Sequence, residues 1–315
     1  MKFGIQVGHL AGPLDELRRL WRFADEHGFD WFSVSDHFQE TPAQDGSGPC
    51  LESLTTLTAA AIETKRVRVS CLVFCVSYRH PVVLAKALTA IDLLSNGRVT
   101  CGLGAGWHEA EYRSYGIPFP SAGTREDQLE EYTQVLRLLF DQDYADFRGE
   151  HYTLNHAPNF PKPAQKRLPI WIGGGGEKRT LRTTARYADG WNVPYIAPAE
   201  WAAKNAVLDQ WCERVKRDPR AIARTINVGF YLGADAKGAV RAEERYQKEW
   251  SGRVPADNSR MGMLRGLARD ASAMIASYRD AGAEQLNIAL RAGPYDWDAL
   301  AAFAQDVMPQ FKEPR

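Results

Sequence analysis

Short runs of hydrophobic residues alternate with longer amphipathic segments along the whole chain. Apolar runs of about four to eight residues between turn residues are typical of buried strands, and apolar residues recurring every three or four positions are typical of helices with one buried face. These patterns predict eight strands, at residues 3–7, 31–34, 67–73, 99–103, 168–172, 190–193, 225–232 and 285–290. Helices are predicted at 14–27, 51–63, 81–94, 125–140, 201–217, 271–281 and 297–311, with another that ends at 188.

Strands and helices in regular alternation predict an α/β fold, a closed (β/α)8 TIM barrel. The predicted strands are hydrophobic on both faces, as parallel strands covered by helices are. A two-domain doubly wound protein is the alternative, but no Pro/Gly/Ser-rich linker divides the chain near its middle. We therefore predict a single barrel domain over residues 1–315, with insertions near 141–167 and 234–270 that cover the site as loops or lids.

Composition narrows the function classes. The 315 residues include 39 Lys and Arg against 39 Asp and Glu, so no net charge favours nucleic acid or an anionic membrane. The start of the chain lacks a signal-peptide pattern, and no window reaches about 18 apolar residues. The five cysteines match neither zinc-site nor C-x-x-C spacing. We expect a cytoplasmic protein that acts on a small molecule.

An Asp-His pair, Asp36 and His37, directly follows the second predicted strand. The carboxyl ends of barrel strands are where this architecture places its active sites. Histidine suits proton transfer because its ordinary pKa lies near neutral pH. The alternative is that Asp36 caps the next segment and His37 lies in an exposed loop.

Two glycine-rich segments follow other strands. Four glycines, 173–176, precede a helix, where free backbone N–H groups and the helix N-terminus favour an anion, with Lys178 and Arg179 adding charge. A flexible tight turn is the alternative. The segment containing Gly104 and Gly106 departs from the dinucleotide-binding fingerprint in its third spacing. It still permits close approach of the backbone to a flat ligand.

An ordered set of short motifs gives the chain a family resemblance. These motifs lie at residues 2–6, 34–39, 79–81, 93–98, 104–107, 169–174 and 188–191. With them the chain resembles the luciferase-like oxidoreductases, and within them the branch that uses the deazaflavin coenzyme F420. The run from Ser35 to Gln39 is similar to that of the deazaflavin-dependent glucose-6-phosphate dehydrogenases.

The resemblance implies a cofactor ring deep in the barrel mouth and a phosphate near the loop after strand five. The residues it implies for cofactor binding are Cys71, Leu72, Gly104, Ala105, Gly106, Trp107, Gly173, Gly174, Gly175 and Gly176. A non-proline cis peptide bond is implied at Cys71–Leu72. His37 would exchange a proton with the substrate or bind the cofactor, and Asp36 would orient it. His9 and Trp191 are expected in the substrate pocket.

The substrate expected from the sequence is a small organic molecule. Glucose-6-phosphate is disfavoured because Trp107 stands where the sugar-phosphate dehydrogenases carry an acid, and the nearest acid is Glu109. The alternatives are an FMN-dependent monooxygenase of the same superfamily and a non-catalytic flavin-binding barrel. No His/Asp/Glu cluster has metal-ligand spacing, so no metal is predicted. A homodimer is expected by analogy with the family.

Overall fold

The computed structural model describes residues 1–8, 10, 12–39, 46–250, 261–291 and 293–312. Its strands are β1 (Lys2–Val7), β2 (Trp31–Val34), β3 (Arg68–Cys75), β4 (Val99–Gly104), β5 (Tyr144–Arg148), β6 (Thr153–Pro158), β7 (Ile170–Gly173), β8 (Gly190–Pro194), β9 (Ala223–Gly233), β10 (Met263–Leu267) and β11 (Gln285–Leu290). Its α-helices are α1 (Leu14–Glu26), α2 (Ser53–Glu63), α3 (Pro81–Leu94), α4 (Glu109–Ser114), α5 (Ala122–Asp141), α6 (Thr180–Tyr187), α7 (Pro198–Arg214), α8 (Ala236–Trp250), α9 (Ser272–Asp280) and α10 (Trp297–Ala302).

Eight parallel strands close into a barrel in the order β9-β11-β1-β2-β3-β4-β7-β8, because β8 pairs with the first half of β9. The predicted TIM barrel is therefore confirmed. Burial explains why the hydrophobic pattern revealed it: β2 and β4 are buried at every position, one face in the barrel and the other under helices. None of the helices in the described part of the chain is long and apolar enough to cross a membrane.

The helices follow the predicted pattern of one buried face. In α1 the buried side chains are Leu17, Leu20, Trp21 and Ala24, which recur at three- and four-residue spacing. The start of α3 shows the local chemistry well: His80 is the N-cap, and its Nδ1 accepts a hydrogen bond from the backbone N–H two residues on. Proline then occupies the first turn, where its missing N–H is not needed.

Both predicted insertions carry regular structure, which the sequence analysis did not predict. Residues 141–167 hold the antiparallel hairpin of β5 and β6, whose side chains are mostly exposed. Residues 234–270 hold α8 and then β10, which extends the sheet beside the second half of β9. The strands of the hairpin are short and mostly exposed, so they carry little hydrophobic pattern. Helix α8 does bury Gly238, Ala242 and Tyr246 at four-residue spacing, but its many charged residues concealed this pattern. These elements were wrongly expected to be loops.

A bulge in β3 shapes the barrel mouth. The register of β3 against β4 shifts between Cys71 and Phe74, and the cis peptide bond joins Leu72 to Val73, one residue later than predicted. The Val73 side chain fits against two glycines: a Cβ at Gly104 would lie 2.4 Å from Val73 Cγ2, and a Cβ at Gly173 would lie 2.6 Å from Val73 Cγ1. These two glycines are therefore required by packing around the bulge.

Candidate active site

A cavity of about 820 Å³ opens at the carboxyl ends of the barrel strands. This volume is typical of sites for small molecules and cofactors. Its wall includes the predicted residues Asp36, His37, Leu72, Gly104, Ala105, Gly106, Trp107, Gly173, Gly174, Gly175 and Gly176. The barrel thus brings together the Asp-His pair and both glycine-rich segments, as the motif positions at strand ends predicted.

His37 is oriented by a buried glutamate that the sequence analysis did not identify. The Nδ1 atom of His37 lies 3.0 Å from Oε2 of Glu111 on α4. The Glu111 side chain has no solvent exposure, whereas that of His37 keeps 16%. No described residue bonds the other ring nitrogen of His37, Nε2. The pair therefore leaves one imidazole nitrogen for a ligand in the cavity.

Glu111 is held in its charged form by several donors. Its Oε2 also accepts the Tyr78 hydroxyl at 2.5 Å, and its Oε1 accepts the backbone N–H groups of Phe38 and Gln39. Burial alone would raise the pKa of Glu111, but the hydrogen bond and charge of His37, with those other donors, lower it to about 2. A carboxylate only accepts hydrogen bonds, so His37 Nδ1 carries a proton and Nε2 is the acceptor in the neutral ring.

Asp36 does not orient His37, which corrects the role expected for it. Its two carboxylate oxygens accept hydrogen bonds from the two terminal guanidinium nitrogens of Arg79, at 2.6 and 2.9 Å. They also accept hydrogen bonds from Ser53 Oγ and from the backbone N–H of Cys75. Burial alone would lower the pKa of Arg79, but the hydrogen bonds to Asp36 outweigh this effect and raise the pKa. Asp36 therefore ties the ends of β2 and β3 together beside the bulge.

His108 completes a cluster with His37 and Glu111. His108 Nδ1 lies 3.5 Å from Glu111 Oε2, and the ligand-type atoms of the three residues lie within 4.8 Å of one another. Such a set has the donor types of a transition-metal site. The donors described above already occupy the lone pairs of this carboxylate, which argues against its acting as a metal ligand, and the absence of a metal remains a prediction.

The glycine corner differs from the predicted anion site in its charges. The guanidinium of Arg179 pairs with Asp127, and Lys178 is exposed and does not line the cavity. Gly174 has a φ of 127°, which favours glycine, and its N–H bonds the carbonyl of Asn192. No described residue accepts a hydrogen bond from the N–H groups of the two glycines that follow it. These N–H groups, not lysine or arginine side chains, are the donors that the corner offers.

Two other predicted residues do not line the cavity, and a third is not among the described residues. Trp191 is fully buried behind the glycine loop, where its Nε1 donates to Gly174 O at 2.8 Å and its ring stacks on Trp201. It braces the loop and does not line the cavity. Cys71 is fully buried and does not line the cavity either. His9 lies outside the described residues.

The wall opposite His37 is aromatic. Trp250, at the end of α8, packs edge-on against Tyr195 with 5.3 Å between ring centroids. The guanidinium of Arg291 lies 4.7 Å from the centre of the Trp250 ring. Arg291 is the only lysine or arginine among the described residues that line the cavity. The second insertion was predicted to cover the site. It contributes Trp250 to the cavity wall, and it does so from a helix and not from a loop.

The comparison with known proteins decides the family. The sequence matches the luciferase-like monooxygenase family over residues 1–310. The chain belongs to this family. The resemblance read from the motifs is thereby confirmed.

Curated relatives of this luciferase-like chain include F420-dependent enzymes. The F420-dependent glucose-6-phosphate dehydrogenase of Amycolatopsis mediterranei is 29% identical over 338 positions, covering 98% of this chain and 99% of that protein. F420-dependent glucose-6-phosphate dehydrogenase 2 of Rhodococcus jostii is 33% identical, with 71% and 67% covered. An uncharacterized protein of Mycobacterium tuberculosis is 32% identical over 184 residues, so the match spans only 64% of that relative's length and 54% of this chain.

Solved structures share the luciferase-like barrel at lower identity. An F420-dependent secondary alcohol dehydrogenase in complex with an F420–acetone adduct superposes with a TM-score of 0.86 at 20% identity, covering 99% of both chains. The coenzyme F420-dependent tetrahydromethanopterin reductase of Methanopyrus kandleri gives 0.82 at 18% identity, again with 99% of both chains covered. At these identities the likeness concerns the fold.

Several residues of the luciferase-like site escaped sequence reasoning. Glu111 lies on α4, a single short helix whose six residues carry too little periodicity to predict. A signal was available: Glu111 is three residues after His108, a spacing that places both side chains on one helix face. Tyr78 and Trp250 had no comparable signal, because only the closed barrel brings them to the cavity.

Proposed function

We propose that this luciferase-like protein is an oxidoreductase that transfers a hydride between coenzyme F420 and a small organic substrate. The observation that carries the proposal is the placement of His37, oriented by a buried carboxylate, in the same cavity as the two glycine-rich segments. Near full-length similarity to F420-dependent dehydrogenases supports the choice of cofactor.

The cavity fits a cofactor of this kind. Ser35 Oγ lines it, is buried, and has no hydrogen-bond partner among the described residues, which is expected where a polar ligand completes the site. Leu72 and Val73 present an apolar surface at the bulge, against which a flat ring would pack. The N–H groups of Gly175 and Gly176 would hold its phosphate. A bound deazaflavin supplies a ring carbon that exchanges a hydride and favours two-electron chemistry.

His37 would handle the proton that accompanies the hydride. Its Nδ1 donates to the Glu111 carboxylate, so the lone pair on Nε2 is available to take a proton from a substrate hydroxyl during oxidation. The Glu111 charge then stabilises the imidazolium that forms, and in the reverse direction Nε2 returns the proton to the carbonyl product. In this proposal Glu111, and not Asp36, orients the imidazole ring of His37.

The substrate class follows from the charge of the wall. Arg291 is the only lysine or arginine that the described lining residues provide, and it packs on Trp250. Trp107, Tyr195 and Trp250 surround the remaining space with aromatic surface. This supports a small alcohol or carbonyl compound of low charge over a sugar phosphate, because arginine is a favoured partner of phosphate and the described lining residues provide only one.

Titration of the purified protein with F420 and with FMN, monitored by quenching of ligand fluorescence, tests the cofactor. Binding of F420 with turnover of small alcohols or ketones supports the proposal. Tight binding of FMN alone favours a monooxygenase, and F420 binding without turnover of any candidate substrate favours a non-catalytic barrel.

The His37→Ala variant tests the mechanism. General acid–base catalysis contributes about 10²–10⁴-fold, so we expect turnover to fall by at least about a hundredfold while F420 binding is retained. His27→Ala is the matched control, because His27 is an exposed histidine at the end of α1. Near-wild-type turnover in the His37 variant would contradict the assignment.

We also propose a cytoplasmic location, which the five free cysteines support. The expected homodimer remains a prediction, and light scattering on the purified protein tests it.

A further inference from the structure

A carboxyl group faces the glycine corner of the cavity. Glu126, in the second turn of α5, lines the cavity, and its Oε1 accepts a hydrogen bond from Thr180 Oγ1 at 2.7 Å. A Cβ built at Gly176 would lie 3.9 Å from the same Oε1, so the carboxyl lies against the glycine loop. Its other oxygen, Oε2, is buried and has no partner among the described residues.

The cations near this corner are directed to other partners. Arg125 donates to the carbonyls of Gly106 and Pro120, and Arg179 pairs with Asp127. Lys204, below the loop, donates to Gly175 O at 3.2 Å and to a glutamate beside it. None of these three basic residues is among the described residues that line the cavity. The corner therefore offers backbone N–H groups, a hydroxyl and a carboxyl.

The pKa of Glu126 is raised by its surroundings. Burial raises the pKa of Glu126, and nearby Asp127 raises it further, against the lowering effects of the Thr180 hydrogen bond and of the charges on Arg179 and Arg125. A neutral carboxyl has one O–H, which donates a hydrogen bond to an anion, whereas a carboxylate repels it. A carboxylate repels a dianion more strongly than a monoanion, because the Coulomb energy grows with the product of the two charges.

We propose that Glu126 makes the corner selective for a phosphodiester with one negative charge over a phosphomonoester with two. The inference rests on the proposed function, in which the cofactor phosphate lies at the glycine loop. The phosphate of F420 is a diester. FMN carries a monoester, whose second ionisation near pH 6 makes it mostly a dianion at neutral pH. The second charge disfavours binding beside this carboxylate, because none of the described lysine and arginine residues near the corner lines the cavity to offset it.

Three ligands with the same deazaflavin ring isolate this effect: the riboflavin-like deazaflavin without phosphate, its phosphomonoester, and F420. Dissociation constants are measured by fluorescence quenching at constant ionic strength and neutral pH. In the wild type we expect the monoester to bind no tighter than the ligand without phosphate. In Glu126→Gln, which has nearly the same shape but no charge, the monoester should gain about tenfold relative to the ligand without phosphate. F420 affinity should change far less.

Glu177→Gln is the matched control, because Glu177 is an exposed carboxylate of the same loop that pairs with Lys204. In this control the affinity for the monoester relative to that for the phosphate-free ligand should equal the wild-type value. An unchanged ratio in Glu126→Gln, or the same change in both variants, would overturn the proposal. Should Glu126→Gln not fold, the wild type still decides, because lowering the pH from about 7.5 to 5.5 should tighten the monoester but not the phosphate-free ligand.

The outcomes also separate this inference from the proposed function. Failure of the wild type to bind either F420 or the phosphate-free ring refutes both. If the protein binds F420 but neither Glu126→Gln nor pH alters the relative affinity for the monoester and the phosphate-free ligand, only the role of Glu126 is refuted.

Discussion

Replacing Glu111 by glutamine should destabilise the protein measurably. The carboxylate accepts hydrogen bonds from His37 Nδ1, the Tyr78 hydroxyl and two backbone N–H groups, and its side chain has no solvent exposure. Glutamine has nearly the same shape, but one of its two oxygens becomes an NH₂ group. That NH₂ then faces donors, so at least one buried donor loses its acceptor.

The pKa of Glu111 gives the size of the effect. Lowering the pKa from 4.5 to about 2 corresponds to roughly 3 kcal/mol of preferential stabilisation of the charged form in the folded protein. We therefore expect Glu111→Gln to lower the free energy of unfolding by about 2–3 kcal/mol at pH 7, since hydrogen bonds to charged groups have this magnitude.

The effect should depend on pH with a definite sign. Because the pKa is lower in the folded state, the stabilisation is complete above the unfolded pKa of 4.5 and is lost as the pH falls from there toward about 2. The difference between wild type and variant should therefore be present at pH 7 and shrink below about pH 4.5.

Thermal unfolding followed by circular dichroism across this pH range is the assay. Glu109→Gln is the matched control, because Glu109 lies on the same helix but is exposed and pairs only with Arg113. It should change stability by no more than about 0.5 kcal/mol. Equal stability of Glu111→Gln and wild type at pH 7, or a difference that persists unchanged at pH 3, would refute the reasoning.

Two further substitutions test the remaining structural assignments. Asp36→Asn should destabilise the protein by about 3–5 kcal/mol in thermal unfolding, because it leaves the buried Arg79 guanidinium without its main counter-charge; normal stability with lost turnover would instead support the catalytic role first expected for Asp36. Gly106→Ala should destabilise more than Gly116→Ala: both glycines have positive φ, but only at Gly106 would a Cβ meet another group, Tyr112 Oη. Equal unfolding temperatures for the two alanine variants would contradict this steric argument.

The fold was predictable because its signals are local. The hydrophobic periodicity of a strand or helix is visible within a window of about ten residues. The order of these elements then shows which motifs lie at the ends of strands. The hairpin of β5 and β6 was misread because its short, mostly exposed strands have little periodicity of their own. Helix α8 was misread on its charged composition, although its buried side chains recur at four-residue spacing.

The site was predictable only in part. His37 was found because its position at a strand end has a general meaning, but its partner Glu111 is 74 positions away along the chain. The assignment of Asp36 to His37 relied on adjacency in the chain, but the Asp36 carboxylate binds Arg79 and the His37 ring binds Glu111. Likewise, Lys178 and Arg179 follow the glycine loop in sequence, yet neither lines the cavity.

The sequence by itself determined the order of strands and helices, the glycines at the barrel mouth and a histidine beside them, because each depends on backbone preference or on burial of a short segment. Only the tertiary structure decided which charges meet. Asp36 binds Arg79, His37 binds Glu111 and Glu126 faces the glycine corner, because a buried charge takes the best-placed partner that barrel closure brings to it. That choice depends on distances between strand ends, which sequence separation does not encode.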